Sequence, residues 1–226
     1  MKNEYKKIIV AVDGPAGSGK SSISKEAARK LGLKYIDSGA VYRTITWYLL
    51  QKYKADLKPK EYINDLTDIS INQIFNNDGS CTTFINNQNV SDKIRDTTIT
   101  GNIGVVSDNI EIRNYINKLL RELAEENSVI MDGRDIGTVV FPDANLKIYL
   151  DASVEVRANR RAKEIKETGK DVDIKDIRNQ IALRDMQDTS RPYGRLVKAA
   201  DAVVIDTTNM AKDEVIRKVI SLIRQI

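Results

Sequence analysis

One stretch, Gly14-Pro15-Ala16-Gly17-Ser18-Gly19-Lys20-Ser21, constrains this chain more than any other. It fits G-x-x-x-x-G-K-[ST] and lies between an apolar run, Ile8–Val12, and an amphipathic stretch, Ser21–Leu31, that is closed by Gly32. The order predicts a buried strand, a tight loop and a helix, which is the context this pattern needs to hold phosphate. Glycines let successive N–H groups turn inward around phosphate oxygens, and the helix adds the positive end of its dipole. Gly14 through Ser22 would then line a triphosphate, with Lys20 bridging its β- and γ-phosphates and the Ser21 hydroxyl placed on Mg²⁺. An ordinary Gly-rich βα turn is the alternative, and strand, loop and helix falling in register favour the phosphate loop over it. The loop implies a nucleoside triphosphate and leaves open what is done with it.

The remainder of the chain supplies the frame. Lys34–Ile36, Ser128–Met131, Leu146–Leu150 and Ala202–Asp206 are further short apolar runs, and Ile110–Glu125 and Asp213–Ile226 carry apolar residues at helical spacing. Strands alternating with helices predict an α/β fold whose parallel sheet is covered on both faces. Between Ile69 and Val90 the rhythm changes to short β runs joined by Asn77-Asp78-Gly79 and Asn86-Asn87, which predicts a small antiparallel insertion with hairpin corners there. Glu155–Asp176 is dense in charge and broken at Gly169, and predicts two solvated helices around a turn.

Composition narrows the chemistry. The chain contains no His, so imidazole acid–base catalysis and His-containing metal sites are excluded. Its one cysteine, Cys81, cannot close an intrachain disulfide, and no start-proximal apolar run is long enough for a signal segment or a membrane span. A cytoplasmic protein is expected. Lys plus Arg is 36 and Asp plus Glu is 32, a net charge of +4, which suits an anionic ligand but is mild for a nucleic-acid binder. The sole Asn-Lys is Asn117-Lys118-Leu119-Leu120, and no Asp is followed three residues later by Gly, so the guanine-reading and switch elements of GTPases are missing. A kinase of a small acceptor becomes the leading class.

Arginines and aspartates recur side by side after the strands: Asp37 to Arg43, Asp132-Gly133-Arg134-Asp135, and Arg184 to Arg191. A lone arginine is ordinarily a solvated cation. Arg134, however, falls at the carboxyl end of a parallel strand, where α/β ligands bind. Convergence of Arg43, Arg134 and Arg191 would make a fork-shaped cage for a second phosphate group. The missing His fits this reading. A phosphate monoester, with a second pKa of about 6, is already anionic near neutral pH and needs no base, whereas a sugar hydroxyl or water benefits from one. Transfer between phosphates asks mainly for positioning and charge cancellation.

These stretches resemble the bacterial-type cytidylate kinases among the nucleoside monophosphate kinases. The likeness covers Asp13–Ser22, Tyr35–Arg43, Met131–Ala144, Lys147–Ser153 and Arg184–Asp206, and Asp132–Asp143 (DGRDIGTVVFPD) is its most specific part. The resemblance implies a single P-loop domain over residues 1–226, a three-layer αβα fold with a five-stranded parallel sheet in the order 2-3-1-4-5. It also implies a small antiparallel acceptor-binding insertion at 65–105 and a helical lid at 155–176. It implies transfer of the γ-phosphate of ATP to CMP or dCMP with Mg²⁺, Lys20, Arg134 and Arg191 being catalytic. Ser38, Arg43, Arg134 and Arg191 would contact the acceptor phosphate and sugar side, and Arg184 with Asp188 would read the ribose. Asp135 would accept from the exocyclic amine of cytosine, and Arg113 would donate to N3 and O2, one acid and one base for a face with one donor and two acceptors. Arg157 and Arg161, four apart on one helix, would close over the ATP phosphates with Arg160 beside them, although pairing with Glu155 and Glu164 on a solvated helix accounts for them equally well. Tyr42 is assigned to stacking on the base, a core tyrosine being the alternative.

The sequence departs from the family at Gly104, where a Ser often assists Arg113 from nine residues upstream. Ser107 is a candidate substitute, and looser discrimination between cytosine and uracil is the alternative. Two other readings stay open on residues alone: the same core phosphorylating UMP, AMP or shikimate, or an RNA-binding module that holds ATP only as a ligand. The second fits poorly, because the arginines sit in Asp-partnered loops rather than in a basic stripe interleaved with aromatics. No nucleic-acid or membrane partner is expected, and a monomer is the default.

Overall fold

The computed structural model describes residues 7–54, 57, 62–167, 169 and 171–226. The first six residues of the expected 1–226 domain, and residues 168 and 170 of the expected lid, lie outside the described residues.

β1 (Ile9–Asp13) is the central strand of a five-stranded sheet, because its residues from Val10 onward are buried on both faces. It is followed by α1 (Lys20–Leu31), β2 (Lys34–Asp37) and α2 (Ser38–Tyr53). Further along come β3 (Ile71–Phe75), β4 (Cys81–Ile85), β5 (Gln88–Asn89), α3 (Thr97–Ser107) and α4 (Ile110–Leu123). The chain then forms β6 (Val129–Gly133), β7 (Leu146–Asp151), α5 (Val154–Lys166), α6 (Ile174–Ser190), β8 (Val203–Asp206) and α7 (Lys212–Ile223). The large sheet runs β2-β6-β1-β7-β8 with every pair parallel, which counts in chain order as 2-3-1-4-5. The expected order and the expected strands are observed, most of them extended by one residue at the carboxyl end.

Two apolar layers enclose the sheet. Ala11, Ile36 and Met131 point to one face and meet α2, α3 and α4, through residues such as Ile45, Leu49, Ile112 and Ile116. Val10, Val12, Tyr35, Ile130 and Ile148 point to the other and meet α1 and α7, through Ile23, Ala27, Val215 and Val219. This period-two alternation of apolar residues onto both faces is what a sandwiched parallel strand requires.

The antiparallel insertion forms where the sequence predicts it, as a three-stranded sheet β3-β4-β5. Gly79, Asn86 and Asn87 take left-handed backbone at the expected corners. A side-chain amide ties this sheet to the core: Gln73 on β3 accepts from Asp37 N at 2.9 Å and donates to Asp37 O at 2.9 Å. The insertion is thereby fixed beside the carboxyl end of β2.

α5 is the first of the two helices expected from Glu155–Asp176, but the second, α6, only begins at Ile174 and runs on to Ser190, and neither is simply solvated. Ala158, Ile177 and Ile181 make a small core of their own, with Val154, Ile165 and Val172 packed around it. Arg157 is buried among these elements. A charged composition conceals one inward face in each helix.

Candidate active site

The carboxyl ends of β1, β2 and β6 lie side by side, and each strand ends in or next to an aspartate: register pairs Val12 with Asp132, Asp13 with Gly133, and Asp37 with Asp132. All three carboxylates cap the edge where ligands of open α/β sheets bind. Asp13 accepts from Ile136 N at 2.9 Å and Gly137 N at 2.8 Å, holding the turn of π-helix Ile136–Val140 that follows Asp135. Burial pushes Asp13 up to about 6, against the two N–H donors that pull it down.

The loop Gly14–Ser21 runs directly from β1 into α1. Gly14 has φ +151, and a Cβ there would stand 2.0 Å from Leu150 O, so only glycine lets the chain leave the strand this close to β7. Gly19 occupies the N-cap of α1 without a side-chain cap, leaving the first N–H groups of the helix free for an anion. Lys20 is buried and folds back, donating to Pro15 O at 2.7 Å and Ser18 Oγ at 3.4 Å. Burial and the nearby Arg134 guanidinium push its amine down to about 7, while Asp132, Asp13 and Asp188 oppose that shift. An ammonium so poorly compensated is preloaded for phosphate. Ser21 Oγ donates to Asp132 Oδ2 at 2.8 Å, and exposed Ser22 Oγ donates to Gly19 O at 3.0 Å.

Opposite the loop, the arginines gather on one carboxylate. Asp188, fully buried, takes Arg134 Nε on Oδ2 at 2.7 Å, and Arg191 Nη2 at 2.6 Å and Arg184 Nε at 3.3 Å on Oδ1. Burial pushes Asp188 up, but Arg134, Arg184 and Arg191 outweigh it and hold the carboxyl below its ordinary value. Burial, together with Arg134 and Arg95, lowers Arg43, against the pull of Asp37 and Asp132. Arg184 is lowered by burial and by Arg134, Arg191 and Arg43, against Asp188. Three guanidiniums therefore share one carboxylate while Arg43, nearer Asp37 and Asp132, adds to their mutual repulsion, an excess of positive charge that suits an anion. Asp188, which the resemblance assigns to the sugar, stands here as the organiser of the cationic cluster. Ser38 is buried on the same side and donates to Asp132 O at 2.6 Å.

The base-side residues come together deeper in the cleft. Arg113, on α4, is 2% exposed and pairs with Asp135 at short range. Its Nη1 donates to Ser107 O at 2.9 Å and its Nη2 to Gly194 O at 3.2 Å. Its guanidinium lies over one face of the Tyr42 ring, 5.3 Å from the centroid. The Tyr42 hydroxyl is buried with no hydrogen-bond partner among the described residues. Burial raises Asp135 above the usual carboxylate range, against the pull of Arg113. Gly104 leaves open space in which a Cβ would lie 3.8 Å from Asp108 Oδ2. Ser107 turns its main-chain carbonyl, not its hydroxyl, to Arg113.

The two lid arginines part company. Arg157 Nη1 donates to Ala16 O in the loop at 2.9 Å, Nε donates to Ala152 O at 2.9 Å, and Nη2 pairs with Asp185 at 2.6 Å, so it braces the phosphate loop from beneath. Arg161 is exposed and pairs with Glu164 at 3.0 Å, away from the loop. Arg160 donates to Thr207 Oγ1 at 2.9 Å and Thr207 O at 2.7 Å, tying α5 to the segment after β8.

Asp13, Asp132, Asp185 and Asp108 were not among the expected site residues. Asp108 carries Arg191 Nε at 3.2 Å. The usable signal was at hand for two of them: an aspartate closing an apolar strand that borders the loop.

Fold and site together define a P-loop phosphotransferase of the αβα kind, with a glycine-rich loop facing an arginine-lined cleft. The cytidylate kinase family model matches residues 10–225. The chain is 44% identical to the cytidylate kinase of Lactobacillus gasseri over 96% of this chain and 94% of that one. It is 42% identical to the cytidylate kinase of Caldicellulosiruptor saccharolyticus over 98% and 97%. A crystal structure of an uncharacterised protein from Eubacterium ventriosum superposes with a TM-score of 0.52 at 15% identity, over 97% of this chain and all of that one, and shares the fold. This chain belongs to the cytidylate kinase family.

Proposed function

We propose that this chain transfers the γ-phosphoryl group of ATP to CMP and dCMP, giving ADP and the corresponding diphosphate. The observation that carries the reading is the buried Arg113–Asp135 pair beside the three arginines on Asp188, facing the Gly14–Ser21 loop. The loop amides and Lys20 hold the donor phosphates. Arg43, Arg134 and Arg191 aim the acceptor phosphate, one of whose oxygens attacks the γ-phosphorus as the bond to the β,γ-bridging oxygen breaks. That oxygen is anionic at neutral pH, so no side chain has to take a proton from it, consistent with a chain that has no His. Lys20 and the arginines cancel the charge in transit.

The Ser21 hydroxyl and the Asp132 carboxylate are hard oxygen donors at the mouth of the loop, a set that fits Mg²⁺. Ser21 would hold the ion, with Asp132 orienting Ser21, and the bound ion would neutralise charge on the β- and γ-phosphate oxygens.

Residues 65–105 serve as the acceptor-binding insertion and 155–176 as the lid. Arg157 acts on the loop through Ala16, and Arg161 comes to the phosphates only if the lid closes. Among the described residues no helix is long and apolar enough to cross a membrane. A cytoplasmic monomer with small-molecule substrates is the setting we assign, on the single cysteine and mild charge.

The test is ADP release with CMP, dCMP, UMP, AMP and shikimate, for the wild type and Asp135→Ala. We expect CMP and dCMP to lead, and the variant to raise the CMP requirement and blur selection against UMP while ATP affinity holds. Loss of ATP binding with CMP selectivity intact would overturn the base-side assignment, and a different preferred acceptor would overturn the substrate.

A further inference from the structure

Tyr35 takes no part in the assignments above, yet its hydroxyl ends on the residue that governs the donor site. It lies on β2, next to β6 in the sheet, 1% exposed, with its ring edge-on to Phe75 at 6.0 Å and the Lys25 ammonium 5.5 Å from its centroid. Its OH donates to Asp132 Oδ1 at 2.5 Å, while Ser21 Oγ donates to Asp132 Oδ2 at 2.8 Å. Each oxygen of one buried carboxylate is thus held by a different hydroxyl.

The consequence follows from Ser21 having a single hydroxyl proton. Donated to Asp132, that proton points back into the protein, and the oxygen lone pairs turn outward to the open side of the loop. This orientation lasts only while the carboxylate cannot rotate. A phenol hydroxyl on the far oxygen, carried by a ring wedged between strand and helix, stops the rotation. We infer that Tyr35 is a positioning residue for the donor site: through Asp132 it sets the direction of the Ser21 hydroxyl and hence the affinity for the divalent cation carried with the nucleotide. Outer partners that orient a metal's ligand commonly matter by 10- to 100-fold in affinity. The inference rests on the reading of Gly14–Ser21 as the metal–nucleotide site. Asp132 also accepts Ser38 Oγ on its main-chain carbonyl at 2.6 Å, a contact the phenol does not touch, so the acceptor side supplies an internal control.

The experiment is a Mn²⁺ titration, read by electron paramagnetic resonance, of the full-length protein saturated with ADP, compared with ADP alone. Wild type, Tyr35→Phe, Ser21→Ala and the double variant are measured, with CMP affinity and melting temperature taken alongside. Tyr35→Phe keeps the ring and should weaken Mn²⁺ by about tenfold while CMP affinity stays within twofold. Acting through the same hydroxyl, the double variant should bind Mn²⁺ no more weakly than Ser21→Ala alone. Unchanged Mn²⁺ affinity in Tyr35→Phe would overturn the inference, as would losses that add in the double variant or a parallel fall in CMP affinity. A wild type that holds Mn²⁺ no better than ADP does would instead overturn the donor-site reading beneath it.

Discussion

Gly194 sits where a single methyl group should disable base recognition. Its φ is +61, and a Cβ there would stand 2.1 Å from Arg113 Nη2 and 2.4 Å from its Cζ. A surface arginine would swing aside at little cost. Arg113 is 2% exposed and tethered to Ser107 O, Asp135 and Gly194 O, so it has no vacant place to go. In Gly194→Ala the left-handed backbone costs about 1–2 kcal/mol. Pushing the guanidinium off Asp135 leaves a buried carboxylate unpaired, worth about 3–5 kcal/mol. At about 2–4 °C per kcal/mol for a chain of this size, the melting temperature should fall by roughly 10 °C or more. Losing two charge-assisted bonds to the base, at about 1.5 kcal/mol or more each, predicts a fall of about 100-fold or more in kcat/KM for CMP. The ATP KM should change by less than twofold, because the Gly14–Ser21 loop takes its support from β1 and Arg157 and not from Gly194. Steady-state kinetics with each substrate varied, and a thermal melt, decide the matter. A variant with CMP kinetics within twofold of wild type and an unshifted melt would refute the claim that Arg113 is confined and reads the base.

Two further outcomes follow from charges in the same cleft. Asp108 rests on Arg191 and is 56% exposed, a pair worth less than about 1 kcal/mol, so Asp108→Asn should free Arg191 and lower the CMP KM by up to about fivefold with kcat within twofold; a raised KM would show that Asp108 helps hold the acceptor. Asp13 is pushed from 3.8 to about 6 by burial, so the folded protein holds this proton more tightly than the unfolded chain does. Its contribution therefore turns against folding as pH rises from about 4 to about 6, by about 3 kcal/mol, and is level outside that window. Urea titrations across the window should show stability of the wild type falling relative to Asp13→Asn, and identical slopes for the two proteins would refute the assignment.

The elements legible in the sequence are those whose cause is local. Ile8–Val12 reads as a buried strand because it is a short continuous apolar run, the loop reads from its glycines and Lys20, and the hairpin corners read from Asn77–Gly79 and Asn86-Asn87. The Asp132–Asp143 run is the most specific part of the family likeness. Charged residues are a different matter, since whether a charge is solvated or buried depends on partners far along the chain. Glu155–Asp176 looks like a solvated segment, yet Arg157 is buried because Ala16 and Asp185 meet it there. Asp188 collects three arginines, one of them 54 residues away, and Asp132 is gripped by hydroxyls 97 and 111 residues away. That α4 lays Arg113 against the Tyr42 ring is likewise not legible along the chain. The sequence alone determined the sheet, the phosphate loop and the family. Only the tertiary structure decided which charges face one another, because Coulomb and desolvation energies depend on distances in space and not on separation along the chain.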